Sequence, residues 1–147
     1  MSTVLVLNGP NLGRLGTREP HKYGSTTHDQ LVALLAEWGA GLGLETLVRQ
    51  SDSETDLVHW IHEAVDAHWH VVLNPAAFTH YSYALRDACA LVPDAGLTLV
   101  EVHLTNPAAR EEFRSISVIS AVASGTIAGF GVDSYRLALE AVAGRVG

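Results

Sequence analysis

The stretch "TVLVLNGP", residues 3–10, decides the fold because it predicts the first strand of a parallel sheet. Its first six residues are mostly β-branched or leucine, and they end at an Asn-Gly-Pro turn signal. Such an apolar run is typical of a strand that is buried on both faces. The run has no positively charged segment before it, so we interpret it as a strand and not as a signal peptide.

Hydrophobic periodicity and helix capping signals predict the remaining elements. The predicted strands cover residues 44–50, 70–74, 97–106 and 125–131, and the predicted helices cover residues 27–43, 51–69, 80–92 and 132–146. Thr27 with Gln30, and Ser51 with Glu54, have the spacing of capping boxes at the first two helices.

Strands that alternate with helices form a parallel sheet with helices on both faces. Five strands in 147 residues favour one domain, residues 1–147, with a flavodoxin-like doubly wound α/β sheet of strand order 2-1-3-4-5. In such sheets a ligand binds outside the carboxyl ends of the strands, where the strand order reverses.

The composition excludes several classes of partner. The net charge of −7 argues against nucleic acid, which calls for clustered basic residues. The apolar runs are too short for a membrane helix. Cys89 is the single cysteine, so it cannot form an internal disulfide, and we expect it to be a buried thiol in a cytoplasmic protein.

Polar side chains collect where the predicted strands end, and the sheet topology would bring them to one edge. They are Asn8, Asn11, Asn74, Thr79, His80, Glu101, His103, Thr105, Asn106, Arg110 and Arg114. Residues so distant in the chain favour a small-molecule site over a set of loop-stabilising contacts.

The three asparagines also have structural interpretations. For Asn8 we favour an Asx-turn beside the Gly-Pro pair, and for Asn11 a turn and a ligand contact remain equally open. Asn74 could close a turn before Pro75, but a strand-end amide at the reversal point is better placed to contact a substrate.

The histidines, like the asparagines, have both functional and structural interpretations. His80 either contacts a ligand or caps the third helix. His103 could be a core histidine, but Glu101 precedes it by two positions on the same side of the strand, where a carboxylate can orient an imidazole. His59-x-x-His62 is only a weak metal pair, so no metal site is predicted.

The loop "GRLGTREPHKYGSTT", residues 13–27, concentrates two arginines, the chain's only lysine, a histidine and a tyrosine. Its glycines and proline indicate a loop that moves. The overlapping stretch "GPNLGRLG" matches neither a dinucleotide fingerprint nor a Walker A motif, because no Gly-Lys-Ser/Thr follows and Pro10 removes a backbone donor. No dinucleotide site is therefore predicted.

Six blocks of the sequence, in this order, resemble type II 3-dehydroquinate dehydratase. They are "LVLNGPNLGRLGTREPHKYG", "VRQSDSE", "WIHEA", "LNPAAFTHYSYALRDA", "VEVHLTNPAAREEFR" and "IAGFG". The resemblance implies a flavodoxin-like fold, a dodecamer built as a tetramer of trimers, and no metal or organic cofactor. It also implies dehydration of 3-dehydroquinate to 3-dehydroshikimate, in the shikimate pathway or in quinate breakdown.

The resemblance further implies a role for individual positions. Tyr23 matches the general base, on a lid loop of about residues 13–26, and Arg18 matches the cation beside it. His103 matches the acid that protonates the departing hydroxyl, with Glu101 as its partner, and Asn11 matches the residue that holds a water near the enolate. The implied substrate-binding positions are Asn74, His80, Leu104, Thr105, Arg114 and Asp87, the last of which is supplied across the trimer interface.

Four positions depart from the family pattern in ways that bear on pocket shape. Ala76 stands where glycine is usual, and an added methyl group restricts φ. Phe78 and Tyr81 are bulkier or more aromatic than usual, and Ser134 replaces a glycine. Thr105 replaces a serine but keeps the hydroxyl group.

The implied chemistry explains the arginines. A phenol ionises near pH 10, so a phenolate at neutral pH needs about 4 kcal/mol of stabilisation. One close arginine lowers a neighbouring pKa by roughly 1–3 where solvent is excluded. Arg18 with a second cation such as Arg114, under a closed loop, is therefore a sufficient set.

Three alternatives remain open at the level of sequence. A non-catalytic flavodoxin-like binding module and an inactive homologue that binds a quinate-like acid both fit the fold. An imine mechanism would require Lys22, which lies on a polar loop without neighbours to desolvate it.

Overall fold

The computed structural model describes residues 1–17 and 19–146. It contains a five-stranded sheet in the order β2-β1-β3-β4-β5, and each neighbouring pair is parallel. The strands are β1 (Ser2–Asn8), β2 (Leu44–Gln50), β3 (His70–Asn74), β4 (Leu99–His103) and β5 (Gly125–Ala128). The predicted doubly wound order is confirmed. β4 and β5 are shorter than predicted, because the chain bends away from the sheet after residues 103 and 128.

The described residues also form five α-helices and four short 3₁₀ helices. The α-helices are α1 (Pro20–Tyr23), α2 (His28–Gly41), α3 (Glu54–Ala67), α4 (Tyr83–Asp94) and α5 (Asp133–Val146). The 3₁₀ helices are Leu12–Arg14, Ala76–His80, Pro107–Ala109 and Glu112–Ser115. The capping box predicted for α2 is confirmed, because Thr27 and Gln30 each accept a hydrogen bond from the other's backbone N–H group.

The capping box predicted for the second long helix is wrong. Ser53, not Ser51, caps α3 by accepting from the backbone N–H of Asp56. Ser51 instead accepts from the backbone of Ser53 and donates to the Asp56 carboxylate at 2.6 Å. The Glu54 side chain accepts from Ser82 at the start of α4, so a tertiary contact replaces the local one.

The sheet separates two apolar layers. Alternate residues of β1 point to opposite faces, with Val4 and Val6 in one layer and Leu5 and Leu7 in the other. The first layer contains buried side chains of α2 and α5, and the second contains those of α3 and α4. Each fully buried leucine or valine contributes about 1.5–3 kcal/mol of transfer free energy. Two covered faces explain why the strands are continuous apolar runs.

Cys89 is a residue of α4, and its side chain is fully buried, as predicted. Burial, together with the charge of Glu101, raises the pKa of the Cys89 thiol to about 12. This thiol therefore acts as a small apolar side chain of the core.

Gly9 brings the ends of β1 and β3 into close contact at the point where the strand order reverses. Its N–H group donates to the backbone carbonyl of Asn74 at 2.8 Å. A Cβ atom at Gly9 would lie 2.8 Å from the carbonyl oxygen of Pro75, which is closer than real Cβ contacts come. The absent side chain therefore lets the loop after β1 cross the end of β3.

Within the part of the chain that the structure describes, no helix has the length and apolarity needed to cross a membrane.

Candidate active site

A cleft opens outside the carboxyl ends of β1, β3 and β4, where the strand order reverses. Eight of the residues predicted for the site line it, together with two that the prediction had placed nearby. The eight are Asn11, Tyr23, Asn74, His80, His103, Leu104, Thr105 and Arg114, and the two are Ala76 and Arg110. The fold therefore brings residues from five separate segments to one edge of the sheet.

Two of the predicted residues, Glu101 and Asp87, do not line the cleft. Glu101 is fully buried behind His103 and does not line the cleft. Asp87 lies on α4 with 76% of its side chain exposed, where it pairs with the neighbouring Arg86 at 3.1 Å. Asp87 is thus outside the cleft of its own chain. Arg18 lies outside the described residues.

Tyr23 is the last residue of α1, and its ring lies against an arginine. The guanidinium carbon of Arg110 lies 5.4 Å from the centroid of the Tyr23 ring, within the range of a cation–π contact. Arg114, which the sequence suggested as the second cation, lines the same cleft, but its Nε atom donates to Glu111. Among the described residues, the guanidinium packed on Tyr23 is therefore that of Arg110.

Arg110 also keeps an unused donor. Its Nη1 atom lies 3.4 Å from the hydroxyl of Thr105. Its Nε atom is buried and has no hydrogen-bond partner among the described residues. A buried N–H group without an acceptor is costly, so this donor is suited to an anionic ligand in the cleft.

The carboxylate of Glu101 is surrounded by donors. The Nε2 atom of His103 lies 2.6 Å from its Oε2 atom. Thr79 donates to the same oxygen, Ser117 lies 3.0 Å from both oxygens, and Ser120 donates to Oε1 at 2.6 Å. Burial by itself would raise the pKa of Glu101, but these hydrogen bonds, with that of His103 the largest, outweigh burial and hold the pKa below its ordinary value.

The ionised carboxylate of Glu101 determines the tautomer and the orientation of the His103 ring. An ionised carboxylate only accepts hydrogen bonds, so the Nε2 atom of His103 carries a proton that it donates to Glu101. The Nδ1 atom of His103 is then available to a molecule in the cleft. His103 is only 8% exposed, and its ring therefore presents one nitrogen, in one orientation, to a bound molecule.

The sequence did not point to the two serines of this arrangement. Ser117 and Ser120 come 16 and 19 residues after Glu101, in an irregular segment without a recognisable motif. Ser117 also accepts from the backbone N–H groups of Ile119 and Ser120, so it shapes the turn that carries both hydroxyls. Only the path of this segment past the end of β4 brings them together.

Asn8 does not close an Asx-turn, so that interpretation was wrong. The residue is fully buried, and its side chain bonds to Tyr135 of α5 at 2.6 Å and to His28 of α2 at 3.1 Å. For Asn74 the turn interpretation is confirmed, and its contact with a substrate stays a prediction. Its Oδ1 atom accepts from the backbone N–H of Ala76 at 3.1 Å, and its Nδ2 atom donates to the Tyr135 hydroxyl at 3.0 Å, while the residue lines the cleft.

Asn11 and His80 are held by contacts to other segments. Asn11 has a φ of 70°, and its N–H group donates to Asp52 at 2.9 Å, so the segment between β2 and α3 supports the loop after β1. The Nδ1 atom of His80 donates to the carbonyl oxygen of Ile116 at 2.8 Å. The Nε2 atom of His80 is consequently the one that a ligand can contact.

The histidine pair on α3 lacks further ligands. The rings of His59 and His62 lie 6.4 Å apart between their centroids. Within residues 1–17 and 19–146, no group of three or more histidine, cysteine, aspartate or glutamate side chains is arranged to hold a metal ion.

Two of the departures from the family pattern have direct structural consequences. Ala76 has a φ of 51°, in the left-handed region that disfavours every residue with a Cβ atom except in special turns. Ser134 is buried, and its hydroxyl accepts from the backbone N–H of Phe130, so the replacement of glycine adds a cap to the turn before α5.

The fold and the cleft define an α/β protein with a carboxylate-supported histidine and a tyrosine at the edge of a doubly wound sheet. The sequence matches the family Dehydroquinase class II over residues 2–143. It is 61% identical over 142 residues to the 3-dehydroquinate dehydratase of Salinispora tropica, and 58% identical over 142 residues to that of Mycobacterium avium, with 97% of each chain covered in both cases. The type II dehydroquinase structure from Propionibacterium acnes superposes with a TM-score of 0.93 at 53% identity, covering 98% of this chain and 97% of that one. The chain belongs to the class II dehydroquinase family, which confirms the resemblance seen in the sequence.

Replacing Ala76 by glycine should stabilise the fold. Glycine adopts a φ of 51° without the strain that a Cβ atom imposes, so the free energy of unfolding should rise by about 1 kcal/mol in Ala76→Gly. Urea unfolding at neutral pH measures the change. The control is Ala77→Gly, one residue further along the same 3₁₀ helix and without a positive φ, which should lose about 0.5–1 kcal/mol. Equal losses in both variants would show that Ala76 is not strained.

Replacing Ser120 by alanine should make the fold more sensitive to acid. The pKa of Glu101 is lowered in the folded state, so its contribution to stability is present above the unfolded pKa and is lost as the pH falls through the folded pKa. Removing one donor should lower the free energy of unfolding by about 1–2 kcal/mol at pH 7. The difference from wild type should vanish in acid, where Glu101 is protonated. Urea unfolding across the acid range measures this, with the exposed Ser115→Ala as control, and a difference that does not depend on pH would contradict it.

Proposed function

We propose that this protein is a type II 3-dehydroquinate dehydratase that converts 3-dehydroquinate into 3-dehydroshikimate through an enolate, by anti elimination of water. The reaction belongs to the shikimate pathway, or to quinate breakdown. The observation that carries the proposal is the presence of Tyr23 and His103 in one cleft, with His103 backed by the buried Glu101. A base and an acid in the same cleft are what the removal of a proton and a hydroxide equivalent requires.

Tyr23 is the proposed general base that removes a proton from the carbon beside the ketone. A phenolate is the active form, and cations are needed to stabilise it near neutral pH. The contact of Arg110 with the Tyr23 ring supports this role for Arg110. Arg18 remains proposed as the cation beside Tyr23, on the basis of the family resemblance alone.

His103 is the proposed acid for the departing hydroxyl. Its Nε2–H group is occupied by Glu101, so the proton is delivered from Nδ1 when the ring carries two protons. The negative charge of Glu101 balances the positive ring in this state. After the proton is transferred, the ring stays in place because Glu101 remains bonded to Nε2.

The remaining residues of the cleft are proposed to bind the substrate and the developing negative charge. Asn11 is proposed to hold a water molecule that donates to the enolate oxygen. The backbone amides of Leu104 and Thr105, with Arg114, are proposed to bind the carboxylate. Asn74 and His80 offer an N–H donor and a free Nε2 atom to hydroxyl groups of the ring, as their other contacts leave these atoms available.

Residues 13–26 are proposed to act as a lid that closes over the substrate. The segment contains Gly16 and Gly24, with φ values of 90° and 82°, on either side of Tyr23's helix. A Cβ atom at Gly16 would lie 3.0 Å from the carbonyl oxygen of Ser25, so the two ends of the segment touch. A loop closed at its base can move as a unit, which brings Tyr23 to the substrate and excludes water.

Lysine-based imine chemistry has no support in this arrangement. The Nζ atom of Lys22 lies 3.4 Å from the carboxylate of Glu19, and both side chains are more than a third exposed. An imine-forming lysine is usually desolvated in an apolar pocket, whereas the Lys22 side chain is 39% exposed. The expected cofactor-free mechanism and the expected cytoplasmic location remain predictions.

The protein is proposed to assemble as a homo-oligomer, a tetramer of trimers, in which Asp87 completes the site of a neighbouring subunit. The proposal is supported by the exposure of Asp87 outside the cleft of its own chain. The exposure of large aromatic side chains also supports the proposed interface, with Tyr83 69% and Phe113 59% exposed in the single chain.

Replacing Tyr23 by phenylalanine should remove the base and leave the fold intact. The turnover number should fall by about 10²–10⁴-fold, with a smaller change in KM, because proton transfer is lost and most binding contacts stay. The rise in ultraviolet absorbance of the conjugated enone product measures turnover. Tyr81→Phe, at an exposed tyrosine that does not line the cleft, is the control and should keep the wild-type rate. A near-normal rate in Tyr23→Phe would refute the assignment of the base.

Mixed oligomers should test the role of Asp87. Asp87→Asn and Tyr23→Phe should each be inactive alone. Co-expression of the two should restore activity, because a subunit with an intact Tyr23 can receive Asp87 from its neighbour. Co-expression of Tyr23→Phe with His103→Ala is the control and should stay inactive, since both residues line the cleft of the same chain. An active monomer in sedimentation, or no recovery in the first mixture, would contradict the shared site.

A further inference from the structure

A chain of hydrogen bonds runs through the core from helix α2 to the cleft. The Nδ2 atom of Asn74 donates to the Tyr135 hydroxyl at 3.0 Å, and that hydroxyl donates to Oδ1 of Asn8 at 2.6 Å. The Nδ2 atom of Asn8 then contacts Nε2 of His28 at 3.1 Å. Asn8 and Tyr135 are fully buried, and Asn74 is 3% exposed. Of these four residues, only Asn74 has a role in the function proposed above.

Each bond of this chain has the same direction. A phenol has a single proton, and Tyr135 gives it to Asn8, so its oxygen accepts from Asn74. The Nδ2 atom of Asn8 can only donate, so the Nε2 atom of His28 accepts and the ring is neutral. Burial lowers the pKa of His28, against the opposing charge of Asp29, which agrees with a neutral ring.

This direction determines what Asn74 offers to the cleft. Its Oδ1 atom is occupied by the backbone N–H of Ala76, and one hydrogen of its Nδ2 atom is occupied by Tyr135. The second Nδ2 hydrogen is left for a ligand. If the chain ran in the opposite direction, Tyr135 would donate to Asn74, and the amide would have to turn and give up its bond to Ala76.

We propose that Tyr135 and His28 are positioning residues that fix the side-chain amide of Asn74 as a hydrogen-bond donor to the substrate. Tyr135 acts through its contact with Asn74, and His28 sets the direction of the chain by accepting at Nε2. Buried polar groups in a low-dielectric core interact strongly, so the orientation is held in the absence of substrate. This inference rests on the proposed function of the cleft.

The first experiment measures steady-state kinetics of Tyr135→Phe with 3-dehydroquinate. The loss of one oriented hydrogen bond should raise KM about 3–20-fold, with the turnover number within about twofold of wild type, because Asn74 contributes to binding and not to proton transfer. A core role without positioning would lower stability alone and leave KM unchanged, and that outcome would overturn the inference.

The double variant Tyr135→Phe with Asn74→Ala shows whether Tyr135 acts through Asn74. If it does, the rise in KM of Tyr135→Phe should disappear in the Asn74→Ala background, because there is no amide left to orient. Independent effects that multiply in the double variant would overturn the inference. Circular dichroism before each assay confirms that the variants are folded.

His28 variants test the direction of the chain. His28→Gln can still accept from Asn8 through its amide oxygen, and it should keep KM near the wild-type value. His28→Lys only donates, so it should reverse the chain and raise KM by an amount similar to that of Tyr135→Phe. Ala36→Lys, at an exposed position of the same helix, is the charge-matched control and should have no effect. Equal KM values in the glutamine and lysine variants would overturn the role of His28.

The closing experiment separates this inference from the proposed function. If wild-type protein does not turn over 3-dehydroquinate, the proposed function fails. The positioning of Asn74 is then decided by the side-chain amide signals of Asn74 in ¹⁵N–¹H NMR spectra of wild type, His28→Gln and His28→Lys. The signals should agree in the first two proteins and shift in the third. Identical signals in all three would overturn the inference whatever the substrate is.

Discussion

The buried carboxylate of Glu101 is the interaction on which the arrangement of the cleft depends. A charge removed from water is tolerated only when donors surround it. Hydroxyl groups of Thr79, Ser117 and Ser120 supply these donors, and they come from the segment after β3 and the segment before β5. His103 completes the set. The need to satisfy one charge therefore holds two loops and His103, the proposed acid, at the edge of the sheet.

The two sides of the cleft are built differently. The floor consists of strand ends whose polar atoms have fixed partners, such as Asn74 and His103. The opposite side is the irregular loop that carries Tyr23, which packs on Arg110. The proposed elimination needs both properties. The acid must be held in one orientation, and the lid must close to bring the base to the substrate and to exclude water. Arg110 lines the cleft, and its buried Nε atom, which has no hydrogen-bond partner among the described residues, is available as a donor for a bound anion.

Two buried polar networks share the carboxyl edge of the sheet, and each ends on a group in the cleft. One runs from Glu101 to His103, and the other runs from His28 through Asn8 and Tyr135 to Asn74. In a low-dielectric interior such networks are stable only when every member has a partner. His28, the acceptor at the far end of the second network, can therefore determine the orientation of the Asn74 amide in the cleft. In this way helix α2, which lies outside the site, influences substrate recognition.

The sequence by itself determined the features that depend on neighbours within a few residues. The alternation of strands and helices, the capping box of Thr27 and Gln30, and the placement of Glu101 and His103 on one side of β4 all follow from local periodicity. Only the tertiary structure decided which distant groups meet. Tyr135 reaches an asparagine 127 residues away, because helix packing and loop paths, and no local pattern, place its hydroxyl at the strand ends.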